Sequence, residues 1–211
     1  MRVRTPLLSL ALSLLAVAVL VPVPSSEAQQ FTRTERRTLE EGQPVRHPRS
    51  QNRSGHAFVG GNAWRVIPRP LDEVWRSLND SAHLCQMLPQ CVGQRVVVAG
   101  SDRRVMRFTH EYGPIRASYH MRMDLDQASH DLSFRLDRSR PNDVREAWGF
   151  LNVRRYRGSD ARTLVSWGVM ADPGSQIMTT LLGGAVQASL LRVPDELHDY
   201  MVVGPGRNRY R

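Results

Sequence analysis

His110 is the side chain in this sequence best placed to do chemistry, because the run around it alternates strictly. Over Arg103–Tyr112, the residues Met106, Phe108, His110 and Tyr112 share one face of a strand, while Arg107, Thr109 and Glu111 share the other. An imidazole titrates near neutrality, so His110 beside Tyr112 could orient a ligand carbonyl or move a proton. A hydrogen-bonded core or rim histidine is the competing reading. Arg107 and Glu111 read as a surface pair. The remaining candidates are weaker. His83, His120, His130 and His198 are scattered, without an HExxH element or paired CxxC elements. Asp195-Glu196-Leu197-His198-Asp199 gathers acids around His198 on a helix, the pattern of a solvated face rather than a metal cluster. There is no GxSxG elbow and no phosphate-cradling GxxxxGK[ST] loop. The sequence therefore names no catalytic residue, no metal site and no cofactor.

Cys85 and Cys91 are the only two cysteines. A disulfide between them would clamp a helix-to-strand turn by about 2 kcal/mol of loop entropy. Two buried free thiols are the other reading.

The elements that must position these residues follow from changes of period. Asn62 to Ile67 is a short strand. Pro70 opens a helix in which Leu71, Val74, Trp75 and Leu78 fall on one face, and Asn79-Asp80-Ser81 ends it. Ala82 to Leu88, stopped by Pro89, reads as a second short helix. Strands follow at Val92 to Ala99, Arg103 to Tyr112, Ile115 to Leu125, Leu132 to Leu136, Val144 to Tyr156 and Arg162 to Met170, separated by Gly, Pro, Asp and Ser breaks. In the third of these, Tyr119 and Met121 alternate with His120 and Arg122, one face buried and one wet. Gln176 to Leu191 then reads as a helix, restarted by Pro194 and running to Val203. The expected fold class is α+β: a seven-stranded antiparallel sheet wrapped around a long C-terminal helix, with two short helices after the first strand. Such a sheet cannot cover its apolar face alone, so the last helix must do so.

Composition bounds the rest. An apolar content of 41% and an aromatic content of 7% exclude a wholly disordered, collagen-like or polytopic membrane chain. Arg2 and Arg4, the apolar run from Leu7 to Leu20 and the small residues ending at Ala28 have the order of a secretory signal peptide. The expected division is a leader at 1–28, a disordered basic linker at 29–54, a domain at 55–203 and a basic tail at 204–211. No cysteine follows the apolar run, so the destination is periplasmic or secreted without a lipid anchor. All the basic residues are arginine, and the net charge is +9. That balance favours an anionic membrane surface, reached through the linker and tail, although GC-rich coding would also enrich arginine. An exported chain is not expected to meet nucleic acid.

In this order of elements the sequence resembles the SRPBCC superfamily, the START-like or helix-grip fold, and within it the coenzyme-Q-binding START-type and polyketide cyclase-like groups. The resemblance rests on Ile67-Pro68-Arg69-Pro70-Leu71-Asp72-Glu73-Val74-Trp75, on Met87-Leu88-Pro89-Gln90-Cys91-Val92, on Gly149 to Val153 with Arg162 to Trp167, and on Val193-Pro194 before the last helix. It implies an apolar small molecule or lipid (quinone-, sterol- or polyketide-like) held between sheet and helix, by a carrier or sensor without covalent chemistry. A cyclase-like enzyme using His110 or a pocket tyrosine is the alternative. The implied wall residues are Met106, Phe108, His110, Tyr112, Tyr119, Met121 and Phe134, joined by Leu182 and Gly183 of the last helix. Consecutive glycines there cost about 1 kcal/mol each, so a ligand or a close sheet contact would account for them.

Overall fold

The first strand of the core, β2 (His56–Ile67), is apolar on both faces over most of its length, and the fold is built outward from it. It pairs on one side with β1 (Val45–Arg53) through a Ser54-Gly55 turn whose two residues have positive φ, the geometry that matches hairpin twist. On its other side it pairs with the last strand, β8 (Thr163–Asp172). Between them in sequence run β3 (Cys91–Val98), β4 (Arg103–Tyr112), β5 (Ile115–Asp126), β6 (Asp131–Leu136) and β7 (Glu146–Arg155), a meander of consecutive hairpins. The sheet is antiparallel throughout, in the order β1-β2-β8-β7-β6-β5-β4-β3. It therefore has eight strands where seven were expected.

The computed structural model describes residues 31–113, 115–174 and 183–211, and Thr32–Arg211 form one compact unit. The expected leader at 1–28, the start of the C-terminal helix at 176–182, and with it Leu182, lie outside the described residues.

The additional strand belongs to the stretch expected to be a disordered linker. Thr32 caps helix α1 (Arg33–Glu40): Glu35 N–H donates to the Thr32 hydroxyl, and the Glu35 carboxylate accepts from Thr32 N–H at 2.7 Å. This reciprocal capping box satisfies donors that a helix start otherwise leaves open. α1 lies against β1 and β2 on the outer face of the sheet, where Leu39, Val45, Trp64 and Val66 are buried away from the main core. Burial of those side chains supplies the free energy that composition alone does not reveal. β1 is exposed at every position after Val45 and carries Pro48, which an edge strand tolerates because that side needs no ladder bond.

Helix α2 (Leu71–Asn79) begins after Pro70 and buries Val74, Trp75 and Leu78. The second short helix is smaller than expected, a single 3-10 turn at Leu84–Met87. The C-terminal helix is divided: α3 (Gly183–Leu190) and α4 (Val193–Val202) meet at Arg192, with Pro194 in the first turn of α4. Leu197, Tyr200 and Met201 of α4 enter the main core with the inward residues of β4 to β8. The basic tail is also folded. Pro205–Asn208 form a 3-10 turn, and Tyr210 is buried with its hydroxyl donating to Asp80 at 2.9 Å.

Candidate functional site

Alternation on β4 and β5 brings the expected wall together. Phe108 pairs with Tyr119 and Met106 with Met121, so these side chains share the inner face. Between that face, α3, α4 and the 3-10 turn lies a cavity of about 230 Å³. Phe108, His110, Tyr112, Tyr119, Met121 and Phe134 line it. Met106 does not; it is fully buried beside Met121 and packs the core. Gly183 is buried but outside the wall, and a Cβ added there would meet only Val59, at 3.9 Å. At Gly184 a Cβ would meet nothing within 4 Å. Neither glycine is required by a crowded sheet contact, so of the two expected reasons for them the sheet contact falls away.

The far wall was not anticipated. Leu84, Met87, Leu88, Pro89 and Gln90 come from the turn between α2 and β3, and Val186 and Leu190 from α3. Trp167 of β8 points inward, stacked on Phe134 at 4.9 Å, and its indole N–H donates to the Leu190 carbonyl at 2.9 Å. That bond ties the end of α3 to the sheet. Trp148 faces the opposite side, edge-on to Phe58 at 5.0 Å. Among the described residues the wall contains no Asp, Glu or Arg.

His110 is the centre of the polar chemistry. Its Nδ1 lies 2.9 Å from the carbonyl oxygen of Pro89, and its Nε2 lies 3.0 Å from the Tyr119 hydroxyl. A carbonyl only accepts, so Nδ1 carries the proton and Nε2 accepts from Tyr119. Burial pushes the His110 pKa below its ordinary value and outweighs the Pro89 bond, which pulls the other way. Burial likewise pushes the Tyr119 hydroxyl upward, so it stays a phenol. The rings stack at 5.5 Å with 13° between planes. Both imidazole nitrogens are thus engaged within the protein.

The Pro89 carbonyl is held by a closed loop. Cys85 and Cys91 are bonded, with Cα atoms 5.2 Å apart. Inside that loop Leu88 N–H donates to Cys85 O, and Cys91 N–H donates to Leu88 O. Gln90 sits at φ 55°, the left-handed region, and accepts at 3.2 Å from Ser189 of α3. The turn is therefore linked to the sheet through His110 and to the helix through Ser189.

The helical side is anchored by a charge cluster that the sequence placed in solvent. Asp195 is 8% exposed and takes Arg65 of β2 at 2.8 Å on one oxygen and Arg46 of β1 on the other. Helix α4 is fixed by this contact to the two strands farthest from β3. The expected Arg107–Glu111 surface pair is absent; Glu111 bonds instead to Arg116, directly across the β4–β5 hairpin. Among the described residues no three His, Cys, Asp or Glu side chains converge to hold a metal ion.

No protein-family model matches the sequence, and no curated protein matches it. Solved structures do. A STAR-related lipid transfer protein from Xanthomonas axonopodis superposes with a TM-score of 0.56 at 12% identity, over 74% of this chain and 98% of that one. The Zhui aromatase/cyclase from a Streptomyces species superposes at 0.53 with 16% identity, over 76% and 99%. A START superfamily protein from Mycobacterium smegmatis gives 0.51 and 14%, over 69% and 99%. The chain has the START-like fold, and identities this low speak to the fold alone.

Proposed function

We propose that this chain is an exported START-like carrier that holds a neutral, apolar small molecule or lipid in the cavity under α3 and α4, without covalent chemistry. The observation that carries the reading is the cavity itself: lined by aromatic and aliphatic side chains, free of charged groups among the described residues, and with its central polar pair bonded to each other. Such a lining rewards an apolar ligand and would penalise an ion. Quinone-, sterol- and polyketide-like molecules all fit that chemistry. A cyclase-like use of His110 is less well supported, because a general base needs a free nitrogen within reach of the substrate. Export is supported by the signal-like order of residues 1–28 and by a folded unit that begins just beyond them, at Thr32.

Mass spectrometry of an organic extract from the protein isolated out of its own compartment is the test. A stoichiometric apolar species, on a chain beginning after Ala28, is the expected result. An empty extract from a folded protein, together with loss of a turnover in His110→Ala, would replace the carrier with the enzyme.

A second reading concerns the outer face. Arg95 lies directly opposite Arg107, and Arg122 directly opposite Arg135. Among the described residues Arg95, Arg107 and Arg135 have no acidic partner, and Arg122 has only Asp124, at 3.7 Å. Like charges directly opposite on a sheet repel, and an anionic bilayer would relieve that repulsion. This face then replaces the linker and tail as the membrane contact, since both are folded into the domain. Vesicles containing anionic lipid should bind the protein at low salt and lose it when Arg107, Arg122 and Arg135 are changed to Gln. Retention by the triple variant, or salt-sensitive binding to nucleic acid but not vesicles, would reject this reading.

A further inference from the structure

From the hydrogen-bond direction along Pro89, His110 and Tyr119, we infer that the cavity selects a ligand whose buried polar group donates a hydrogen bond, an alcohol or phenol rather than a ketone or oxidised quinone. The inference rests on the carrier reading above and sharpens it to a ligand class.

The argument is one of proton counting. The chain is fixed at one end by an oxygen that can only accept, the Pro89 carbonyl, 2.9 Å from Nδ1. The only proton of the neutral ring is therefore on Nδ1. Nε2 must then accept, and the proton it accepts is that of Tyr119, 3.0 Å away. A phenol has a single proton, and this one is committed. What Tyr119 still offers the cavity is the lone-pair side of its oxygen. A ligand hydroxyl arriving there completes the chain. A ligand carbonyl arriving there sets two acceptors against each other, and both lose the bonds they had in water.

Among the described residues, nothing in the wall near this pair relieves the mismatch. No Asp, Glu or Arg lines the cavity among the described residues, and the Trp167 N–H is already given to Leu190. Among the described residues, the other polar side chains of the wall are Tyr112, at the open end of the β4–β5 hairpin, and Gln90 with Ser189. Gln90 is exposed to solvent, and Tyr112 is half-buried. A carbonyl bonded there competes with water and leaves the Tyr119 oxygen unmatched. Protonation of His110 would reverse the polarity, since a doubly protonated ring donates to Tyr119 and turns the phenol proton toward the ligand. Tyr119 and Tyr112 are the titratable groups that face His110 from the wall, and burial keeps the ring neutral at ordinary pH.

The test uses a matched pair, decan-2-ol and decan-2-one, titrated calorimetrically into the mature protein freed of endogenous lipid. The alcohol should bind about tenfold more tightly at pH 7.5, the size of one unmatched buried polar group. In His110→Phe the Tyr119 proton is released, and the preference should collapse toward equality by a gain in ketone affinity. Equal affinity of the two ligands for the unaltered protein, or a preference for the ketone, overturns the inference while leaving the carrier intact. Binding of neither ligand by a folded protein overturns the carrier reading and this one with it.

Discussion

Breaking the Cys85–Cys91 bond tests how the ligand-facing wall is held. The two residues are six apart in sequence. For so short a loop, constraint of the unfolded chain is worth about 2 kcal/mol. The cost should stop there, because the turn keeps other attachments: Leu84 and Met87 are nearly fully buried, and Cys85 N–H donates to the Gln94 side chain at 2.7 Å. In a domain of about 180 residues, 2 kcal/mol corresponds to a fall in Tm of about 4–8 °C. Thermal melts of the oxidised protein, the reduced protein and the Cys85→Ser/Cys91→Ser variant should show both altered forms with the same lowered midpoint. A second readout isolates the wall. The Pro89 bond raises the His110 pKa against burial, so loosening that carbonyl should lower the pKa further, visible in an NMR titration of the imidazole. An unchanged midpoint, or a His110 pKa that rises on reduction, would refute the account of this loop as a clamp.

Other perturbations separate the remaining supports. Asp195→Ala leaves Arg65 without its partner under α4 and should cost about 3 kcal/mol in urea melts; a loss below 1 kcal/mol would mean the helix is held by packing alone. Gly149→Ala drives a Cβ into the Gly168 carbonyl and the Phe134 ring, so about 2 kcal/mol or more should be lost by overpacking, together with ligand affinity. Gly184→Ala, which meets open space, should be neutral or stabilising by about 0.5 kcal/mol; destabilisation there would reveal a contact that the geometry does not contain. The depressed His110 pKa makes a signed prediction. The unfolded chain takes up a proton below about pH 6.5, before the folded one does, so stability from this site is present above that pH and declines below it. His110→Phe should flatten the stability profile below about pH 6.5; an unchanged slope would exclude His110 as its source.

β4, β5 and β6 were legible because apolar and polar residues alternate along them. Arg103–Tyr112 reproduces its expected bounds, and Ile115–Asp126 differs by one residue. β1 gave no such signal. It buries Val45 and is otherwise exposed, so its place comes from backbone pairing with β2, which no hydrophobic period records. α1 did carry a signal in Thr32-Arg33-Thr34-Glu35, a capping-box sequence obscured by the surrounding charge. Asp195 looked solvated because its partners, Arg46 and Arg65, stand at least 130 positions away in the chain. The cavity followed the same division. The part of its sheet wall on β4, β5 and β6 lies on alternating strands and could be read from sequence, whereas the inward face of β7 and β8, apolar on both sides around Trp148 and Trp167, could not. The turn bearing Pro89 acts on His110 through a main-chain oxygen, a group every residue possesses and no side-chain pattern can mark.

The sheet order has a consequence for how the chain comes to its final form. Strands β3 to β7 each pair with a neighbour in sequence, but β2 waits for β8, with Ile67 meeting Thr163 and Val59 meeting Ala171. A segment delivered amino-end first therefore spends its emergence with β2 paired to β1 alone and lacking β8, while the meander can assemble by local hairpins. The apolar faces of β2 are exposed during that interval, a target for chaperones and for misassociation. Pulse-labelled hydrogen exchange should find the amides of β4 to β6 protected before those of β2 and β8, and simultaneous protection would show that the long-range pair nucleates instead. The carboxy-terminal third then completes two tasks in one step. β8 closes the sheet, and α3 and α4, later in the sequence, roof the cavity, so the protein acquires its binding space only as the last part of the chain arrives.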